Sequence, residues 1–400
     1  MQRINGRRLR RNRTRLMGAA TAAIALSVAT AVTAIAVPSD PSATAPTGQA
    51  PATANAGDSP SGNVFANQVL PQAKLIPGAS AGQRYIYWTA GANNAAQMSG
   101  ASLYIPKGAT PAAGWPVVAV AHSASGLTDQ CTPSLGNQPD HDVLTQLLNR
   151  GYAVIVSDYA GLGTNGTYNY RDGMVEARNI VDAVRSAADI GPKLSPKWAV
   201  IGQSAGGATA LTTARYASTW QGPALNFRGA VASGVPAYSE DTISNLGPSF
   251  PPIALPSAIT SDVLYSLASL RTAVPAAQVD SYLTPLGQTW LTKAQTLCSA
   301  DLQRAASTLV LSGLFSKALT PLRSTLASYF AIPTGGFDRP VLLQQGLLDT
   351  DVVLPYALSY ANSVSGADGQ VSVRTYPANH QDAITAGTPD AMSFLSTALR

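Results

Sequence analysis

Trp198-Ala199-Val200-Ile201-Gly202-Gln203-Ser204-Ala205-Gly206-Gly207 is the stretch on which the fold turns. Four apolar residues run into Gly-x-Ser-x-Gly, and the segment that follows, Ala205–Ala217, is rich in small residues and good helix formers. A serine between glycines at a strand-to-helix turn is held in a strained conformation that exposes its hydroxyl, and side chains at the flanking positions would clash. The helix beyond it aims backbone N–H groups at the same point, where a developing oxyanion would need them. Ser204 is therefore the candidate nucleophile, and the N–H of Ala205 the first oxyanion donor. The pattern alone does not suffice. Gly78-Ala79-Ser80-Ala81-Gly82 matches it as well, but follows Leu75-Ile76-Pro77 and opens no helix, so Ser80 reads as a loop serine.

Outward from the elbow, short apolar or β-branched runs alternate with helical segments. The strand candidates are Arg84–Thr89, Ala101–Ile105, Pro116–Ala121, Tyr152–Ser157, Trp198–Ile201, Phe227–Ala232, Pro340–Gln344 and Val371–Tyr376. Several are nearly continuous apolar runs, as expected of strands covered on both faces in a parallel sheet. Between two of them Met174, Ala177, Ile180, Val181, Val184 and Ala188 fall at helical spacing, with Glu176, Arg178, Asp182 and Arg185 on the other face. The alternation predicts an α/β fold with its active site at the carboxyl ends of the strands. Residues 237–337 break the rhythm. They show no convincing strand, and Asp301–Phe330 carries Leu309, Leu314, Leu319, Leu322 and Leu326 on a helical spacing. This span reads as a helical insertion over the site, or as extra helices packed on the sheet.

A serine hydroxyl needs a base near neutral pH, and the base needs a carboxylate to orient it. His380 lies just past the last strand candidate and is the candidate base. His141 sits in a polar Asp-His-Asp loop, and His122 ends the strand Pro116–Ala121, where it shapes the loop beside the nucleophile. In Gly346-Leu347-Leu348-Asp349-Thr350-Asp351-Val352 two carboxylates compete, and Asp349 is preferred because it lies three residues past the glycine that turns the strand. Asp351 then reads as a solvated or capping acid, with Glu240 and Asp241 as a more distant fallback. The loop His122-Ser123-Ala124-Ser125-Gly126 should supply the second oxyanion donor, for which Ser123 is the candidate. The three histidines are far apart in sequence, so no metal site is expected and no feature suggests a cofactor.

The chain has 400 residues, 46% of them hydrophobic and only 12% charged, which excludes a disordered chain or a coiled coil. Its formal charge of +5 comes from the first 16 positions, which hold seven arginines and no acid; without them 19 basic residues face 21 acidic ones. A nucleic-acid-binding footprint disappears with that segment. The arginines precede an apolar run from Met17 to Val37 and the small residues Ala34-Ile35-Ala36, the order of a secretory signal. The reading is a signal peptide over 1–36, then a Pro/Ala/Thr/Ser-rich linker over 37–62. A permanent anchor is the alternative, since about 20 apolar residues can span a bilayer. No other stretch could span one. Two cysteines in an exported chain favour a disulfide over free thiols.

These residues together resemble the secretory lipase family of α/β-hydrolases. The likeness rests on Gly151–Val154 running into Asp158-Tyr159-Ala160-Gly161-Leu162-Gly163-Thr164, on Glu176-Ala177-Arg178, on Gly202–Gly207, on Gln345–Val352, on Asn379-His380 and on Cys131-Thr132-Pro133-Ser134. The resemblance implies an α/β-hydrolase fold, with a core over 63–236 and 338–400 and a helical cap over 237–337. It implies a triad of Ser204, Asp349 and His380, and a disulfide between Cys131 and Cys298 that ties the oxyanion loop to the cap. Two departures stand out. His122-Ser123 replaces the frequent His-Gly, and Gln203 stands before the nucleophile where the family often has histidine. The expected function is that of an exported serine hydrolase of carboxylic esters, with acyl-glycerols the favoured substrates at a transient lipid–water interface. A short-chain esterase, a serine peptidase and a non-catalytic surface binding protein are the alternatives.

Overall fold

The computed structural model describes residues 61–136 and 138–400. The signal segment over 1–36 and the linker up to residue 60 lie outside the described residues. Gly62, at the end of the span read from sequence as linker, is bonded to the core. Gly62 donates its N–H to Trp88 (2.8 Å) and accepts the Ser186 hydroxyl (2.9 Å).

The described residues form one nine-stranded sheet. In chain order its strands and helices are β1 (Val64–Val69), β2 (Ala79–Ala90), β3 (Ala96–Pro106), β4 (Trp115–Ala121), α1 (His141–Asn149), β5 (Ala153–Ser157), α2 (Gly173–Ala187), β6 (Leu194–Gln203), α3 (Ala205–Trp220) and β7 (Asn226–Ser233). After β7 come α4 (Ser239–Ser244), α5 (Ser257–Ala273), α6 (Pro285–Ala294), α7 (Ser299–Ala305) and α8 (Arg323–Tyr329). The chain then returns to the sheet with β8 (Val341–Gly346), α9 (Leu354–Ala367), β9 (Val371–Tyr376) and α10 (His380–Ala398). The strand order is β1-β2-β3-β5-β4-β6-β7-β8-β9. The first three strands pair antiparallel, as does β3 with β5, and every pair from β5 to β9 is parallel.

The continuous apolar runs have the cause that parallel pairing gives them. Along β4, Val117, Ala119 and Ala121 join one buried cluster with residues of α2 and α3, whereas Val118 and Val120 join a second cluster with α1 and α10. Alternate side chains face opposite layers, so a strand covered on both faces has no polar side to show. Among the described residues, no helix is long and apolar enough to cross a membrane.

Three local expectations are corrected. β1 has no counterpart among the strand candidates, because Val-Phe-Ala-Asn-Gln-Val carries little alternation and its residues are mostly exposed at the sheet edge. Ser80 sits in strand β2 rather than in a loop, at a register shift, with its hydroxyl donated to the carbonyls of Ile105 (3.3 Å) and Pro106 (2.9 Å). The "polar face" of α2 is buried in part. Asp182 is fully buried, accepts from Thr89 of β2 (2.9 Å), and pairs with Arg178 and Arg185 (3.0 Å each). Glu176, 2% exposed, accepts from Tyr168, Thr209 and the N–H of Arg171. Arg178 and Arg185 are helical neighbours of Asp182, but Thr89 beside Asp182 and Tyr168, Arg171 and Thr209 around Glu176 come from outside α2, and helical periodicity cannot show such partners.

Between β7 and β8 the described residues contain no strand, only helices, single turns and isolated bridges. Asp301–Phe330 is broken into α7, turns at Leu311–Leu314 and Thr320–Leu322, and α8, so its helical spacing does not form one helix. Its leucines nevertheless point inward: Leu314, Leu319 and Leu326 are fully buried. They join the apolar cluster that holds α2 and α3.

Cys131 and Cys298 form a disulfide across a sequence separation of 167 residues. The junction is reinforced by a bridge between Gly126 and Cys298 and by the Ser299 N–H donated to the Ser125 carbonyl (2.8 Å). Closing a loop of that length removes unfolded-state entropy worth roughly 5 kcal/mol. Replacing both cysteines by serine is expected to lower the unfolding free energy by about that amount in a denaturant titration. A loss below about 1 kcal/mol would show that the crosslink does not constrain the unfolded chain.

Candidate active site

The sheet register brings the carboxyl ends of the central strands level. Ala121 pairs with Gly202, Gln203 with Ser233, and Ser233 with Gln344. The segments that leave β4, β6, β7, β8 and β9 therefore emerge side by side. Ser204 is the first residue beyond β6 and precedes α3, with φ 56° and ψ −127°. That is a strained conformation for a residue with a Cβ, and it is held by the Ser204 N–H donated to the Ser233 carbonyl (2.9 Å). The glycines around it are obligatory. A Cβ on Gly202 would lie 2.1 Å from the carbonyl oxygen of Gly206, and one on Gly206 would lie 2.0 Å from that of Ala121. Ser204 is half-buried, whereas the residues on either side of it are buried.

His380 is the first residue of α10, where the Asn379 side chain accepts the Asp382 N–H (2.8 Å) and starts the helix. The imidazole is 4% exposed, and its Nδ1 lies 2.8 Å from Oδ2 of Asp349. Gly234, with φ 57°, leaves room for the ring, since a Cβ there would come within 2.8 Å of His380 Cε1. Asp349 is surrounded by donors. Gln345 Nε2 reaches Oδ2 (3.0 Å), and the N–H groups of Asp351 (2.9 Å) and Val352 (3.1 Å) reach Oδ1. Burial raises its pKa, but the bond and charge of His380 together with these backbone donors outweigh that and hold it below the ordinary carboxylate value.

Of the two competing carboxylates, then, the structure sets Asp349 against His380, and Asp351 contributes only its backbone N–H. The fallback acids belong to α4, where Asp241 pairs with Arg323. His141 is half exposed at the start of α1. Ser80, on β2, is absent from the wall of the cavity that holds Ser204.

Ser204 and His380 line one cavity of about 470 Å³, bounded by the loop after β4, the segment before α1, the starts of α4, α5 and α7, and the loop after β8. Ser123 lies on this wall, but both its donors are occupied. Its N–H is donated to Asp140 Oδ2 (2.9 Å) and its hydroxyl to Asp140 Oδ1 (2.6 Å). In this state, therefore, neither Ser123 donor is free to meet an oxyanion. Ala205 and Gly206 open α3, where a helix start leaves backbone N–H groups without an acceptor in a preceding turn, while the Gly207 N–H already meets the Ser204 carbonyl (2.9 Å). Burial pushes Asp140 up to about 6, against the two serine hydrogen bonds. His122 is buried beside the same loop. Its Nδ1–H is donated to the Ser123 carbonyl (2.7 Å), its ring stacks on Tyr159 at 4.3 Å, and burial drives it down to about 4, so it stays neutral.

Three residues important to this geometry were not singled out for it in the sequence. Asp140 fixes Ser123, Gln345 braces Asp349, and Gln203 donates to the main-chain carbonyl of His380 (2.7 Å). Asp140 is visible as a charged residue in the Asp140-His141-Asp142 loop and Gln203 as a departure next to the nucleophile. Their partners lie 17 and 177 positions away, a distance no local pattern spans.

Comparison with known proteins agrees with this architecture. Residues 130–250 match the family described as secretory lipase, which bears out the resemblance read from the motifs. No curated protein sequence matches the chain significantly. Among solved structures, Candida antarctica lipase A in its closed state is similar at 20% identity with a TM-score of 0.69, covering 87% of this chain and 84% of that one. A variant of the rice cell wall degrading esterase from Xanthomonas oryzae is similar at 18% identity with a TM-score of 0.69, covering 85% and 100%. A hydrolase from Legionella pneumophila, described as putative in its own structure, follows at 16% identity and 0.68, covering 84% and 98%. At these identities the solved structures establish the α/β-hydrolase fold. The family match spans β6, the elbow serine and α3, and together with that fold it supports a carboxylic ester hydrolase.

Proposed function

We propose that the chain hydrolyses carboxylic esters through an acyl-enzyme, with Ser204 as nucleophile, His380 as general base and acid, and Asp349 as the carboxylate that orients the histidine. The observation that carries this reading is the 2.8 Å pair of His380 Nδ1 and Asp349, facing a cavity into which the strained elbow presents Ser204. With Asp349 ionised, Nδ1 of His380 carries the proton and Nε2 is left as the base. Ser204 Oγ attacks the ester carbonyl as Nε2 takes its proton. The oxyanion forms against the Ala205 N–H. The same histidine protonates the departing alkoxide, and the acyl-enzyme is hydrolysed by a water that it activates. Ser123 serves as second donor if its N–H turns from Asp140 to the oxyanion. Removing one such donor costs roughly 3 kcal/mol of barrier in enzymes of this kind.

The substrates we assign are acyl-glycerols, on the resemblance to secretory lipases. The cavity wall supports short acyl chains over long ones. It carries Ser125, Ser239, Ser261 and Ser299, and among the described residues its larger aliphatic side chains are Ile243, Ile259, Val352 and Val353, beside the rings of Tyr170 and Tyr265. A long alkyl chain would lie against hydroxyl groups there and gain less from leaving water. The segment between β7 and β8 acts as a cap, tied to the β4 loop by the disulfide. Export through the N-terminal signal is supported by the disulfide and by the description of the matching family.

The test is hydrolysis of p-nitrophenyl esters from acetate to palmitate by the mature protein beside Ser204→Ala. Turnover dependent on Ser204 and highest at short chains is expected. Turnover that peaks at palmitate would identify a long-chain lipase, and turnover that survives in the Ser204 variant would overturn the assignment.

A further inference from the structure

Asp351, the rival of Asp349 in sequence, has no part in the proton relay, yet it does not point away from the site. It is half-buried on the wall of the cavity that holds Ser204 and His380, and its carboxylate has no hydrogen-bond or ion-pair partner among the described residues. Its backbone N–H donates to Asp349 Oδ1, which ties the carboxylate's position to the relay. Two further acids share the wall. Asp262 is neutralised by Arg171 at 3.2 Å, whereas Asp140 has only the Ser123 hydrogen bonds. No lysine or arginine among the described residues lines the cavity. A substrate in this space therefore meets negative charge that no cation on the wall offsets.

We propose that Asp351 is a specificity-determining residue, whose carboxylate restricts the site to esters that carry no anionic group and favours those whose alcohol carries a positive charge. This rests on the reading of the cavity as the ester-hydrolysing site. Like charges several ångströms apart in a partly desolvated cavity repel enough to change kcat/KM on the order of tenfold, and a neutral ester feels no such repulsion. The same charge acts on the product. Hydrolysis turns a neutral ester into an alcohol and a carboxylate, so the field that excludes anionic substrates also favours departure of the acid.

The experiment compares three butyrate esters of meta-substituted phenols, bearing a carboxylate, a carboxamide or a trimethylammonium group, in the wild-type protein, Asp351→Asn and Asp351→Glu. In the wild type, kcat/KM should rise from the carboxylate to the carboxamide to the cation, and the spread should shrink as salt is raised from about 20 to 500 mM, as screening requires. Asp351→Asn should raise the carboxylate-to-carboxamide ratio about tenfold and lower the cation-to-carboxamide ratio, while Asp351→Glu keeps the wild-type order. A purely structural role would lower all three rates together and leave both ratios where they were, which would overturn the proposal. So would a wild-type spread indifferent to salt, a measurement that needs no variant to fold. Absence of wild-type turnover on the carboxamide ester would instead bring down the ester-hydrolase reading, and this proposal with it.

Discussion

Ser204→Ala is expected to lower kcat for ester hydrolysis by about a million-fold and to leave the thermal midpoint within a few degrees of wild type. The size of the loss follows from the unity of the relay. Once the nucleophile is gone, the histidine and its carboxylate have no proton to move, so the loss approaches that of the whole set. What remains comes from the oxyanion donors and from substrate binding. The small effect on stability has its own cause: the methyl group of alanine fits where the half-buried hydroxymethyl stood, and the Ser204 N–H bond to Ser233 is retained. Ser80→Ala is the matched control. Ser80 occupies the other Gly-x-Ser-x-Gly, and its hydroxyl serves only carbonyls of β3. Turnover should be unchanged in that variant, and if it alone were inactive the nucleophile would have been misassigned.

The second large effect is expected at Asp349. Asp349→Asn should reduce kcat about ten-thousand-fold with a much smaller change in KM, because an amide that donates to Nδ1 leaves the histidine in the wrong tautomer. The pH dependence carries a sign that can be checked. The folded-state pKa of Asp349 is depressed, so the stability this pairing supplies is present above the ordinary carboxylate value and is lost as pH falls through the depressed one. Wild type should therefore lose stability below about pH 4 more steeply than Asp349→Asn, which has no carboxylate there to protonate. Chemical denaturation at pH 3 and pH 6 measures this. Equal losses in the two proteins would mean that the His380–Asp349 pair contributes nothing to the folded state.

Not every part of the site was equally legible. The elbow was readable because its requirements are local: a strand, a helix and glycines whose Cβ atoms would strike backbone oxygens all fall within ten residues. The central strands were readable because coverage on both faces leaves a continuous apolar run. β1 was not, since an edge strand with one partner needs neither apolar continuity nor strict alternation. Asp301–Phe330 kept its apolar residues in the right places and still did not form one helix, because inward-facing leucines can be supplied by turns as well as by helical faces.

The sequence by itself determined the α/β architecture and the strand-to-helix elbow at Ser204, because both depend on short-range sterics and periodicity, and it named Asp349 and His380 as the candidate acid and base. Sequence spacing preferred Asp349 over Asp351, but only the tertiary structure shows which carboxylate meets His380. The two differ by two positions, and the direction of each side chain depends on how the loop after β8 closes around Oδ1 through the N–H groups of Asp351 and Val352. It also decided that Ser123 is held by Asp140, and that Glu176 and Asp182 are buried rather than solvated. A buried polar group is stable only where partners meet it, and apart from the α2 neighbours Arg178 and Arg185 these partners come from other parts of the chain, which periodicity along one element does not encode.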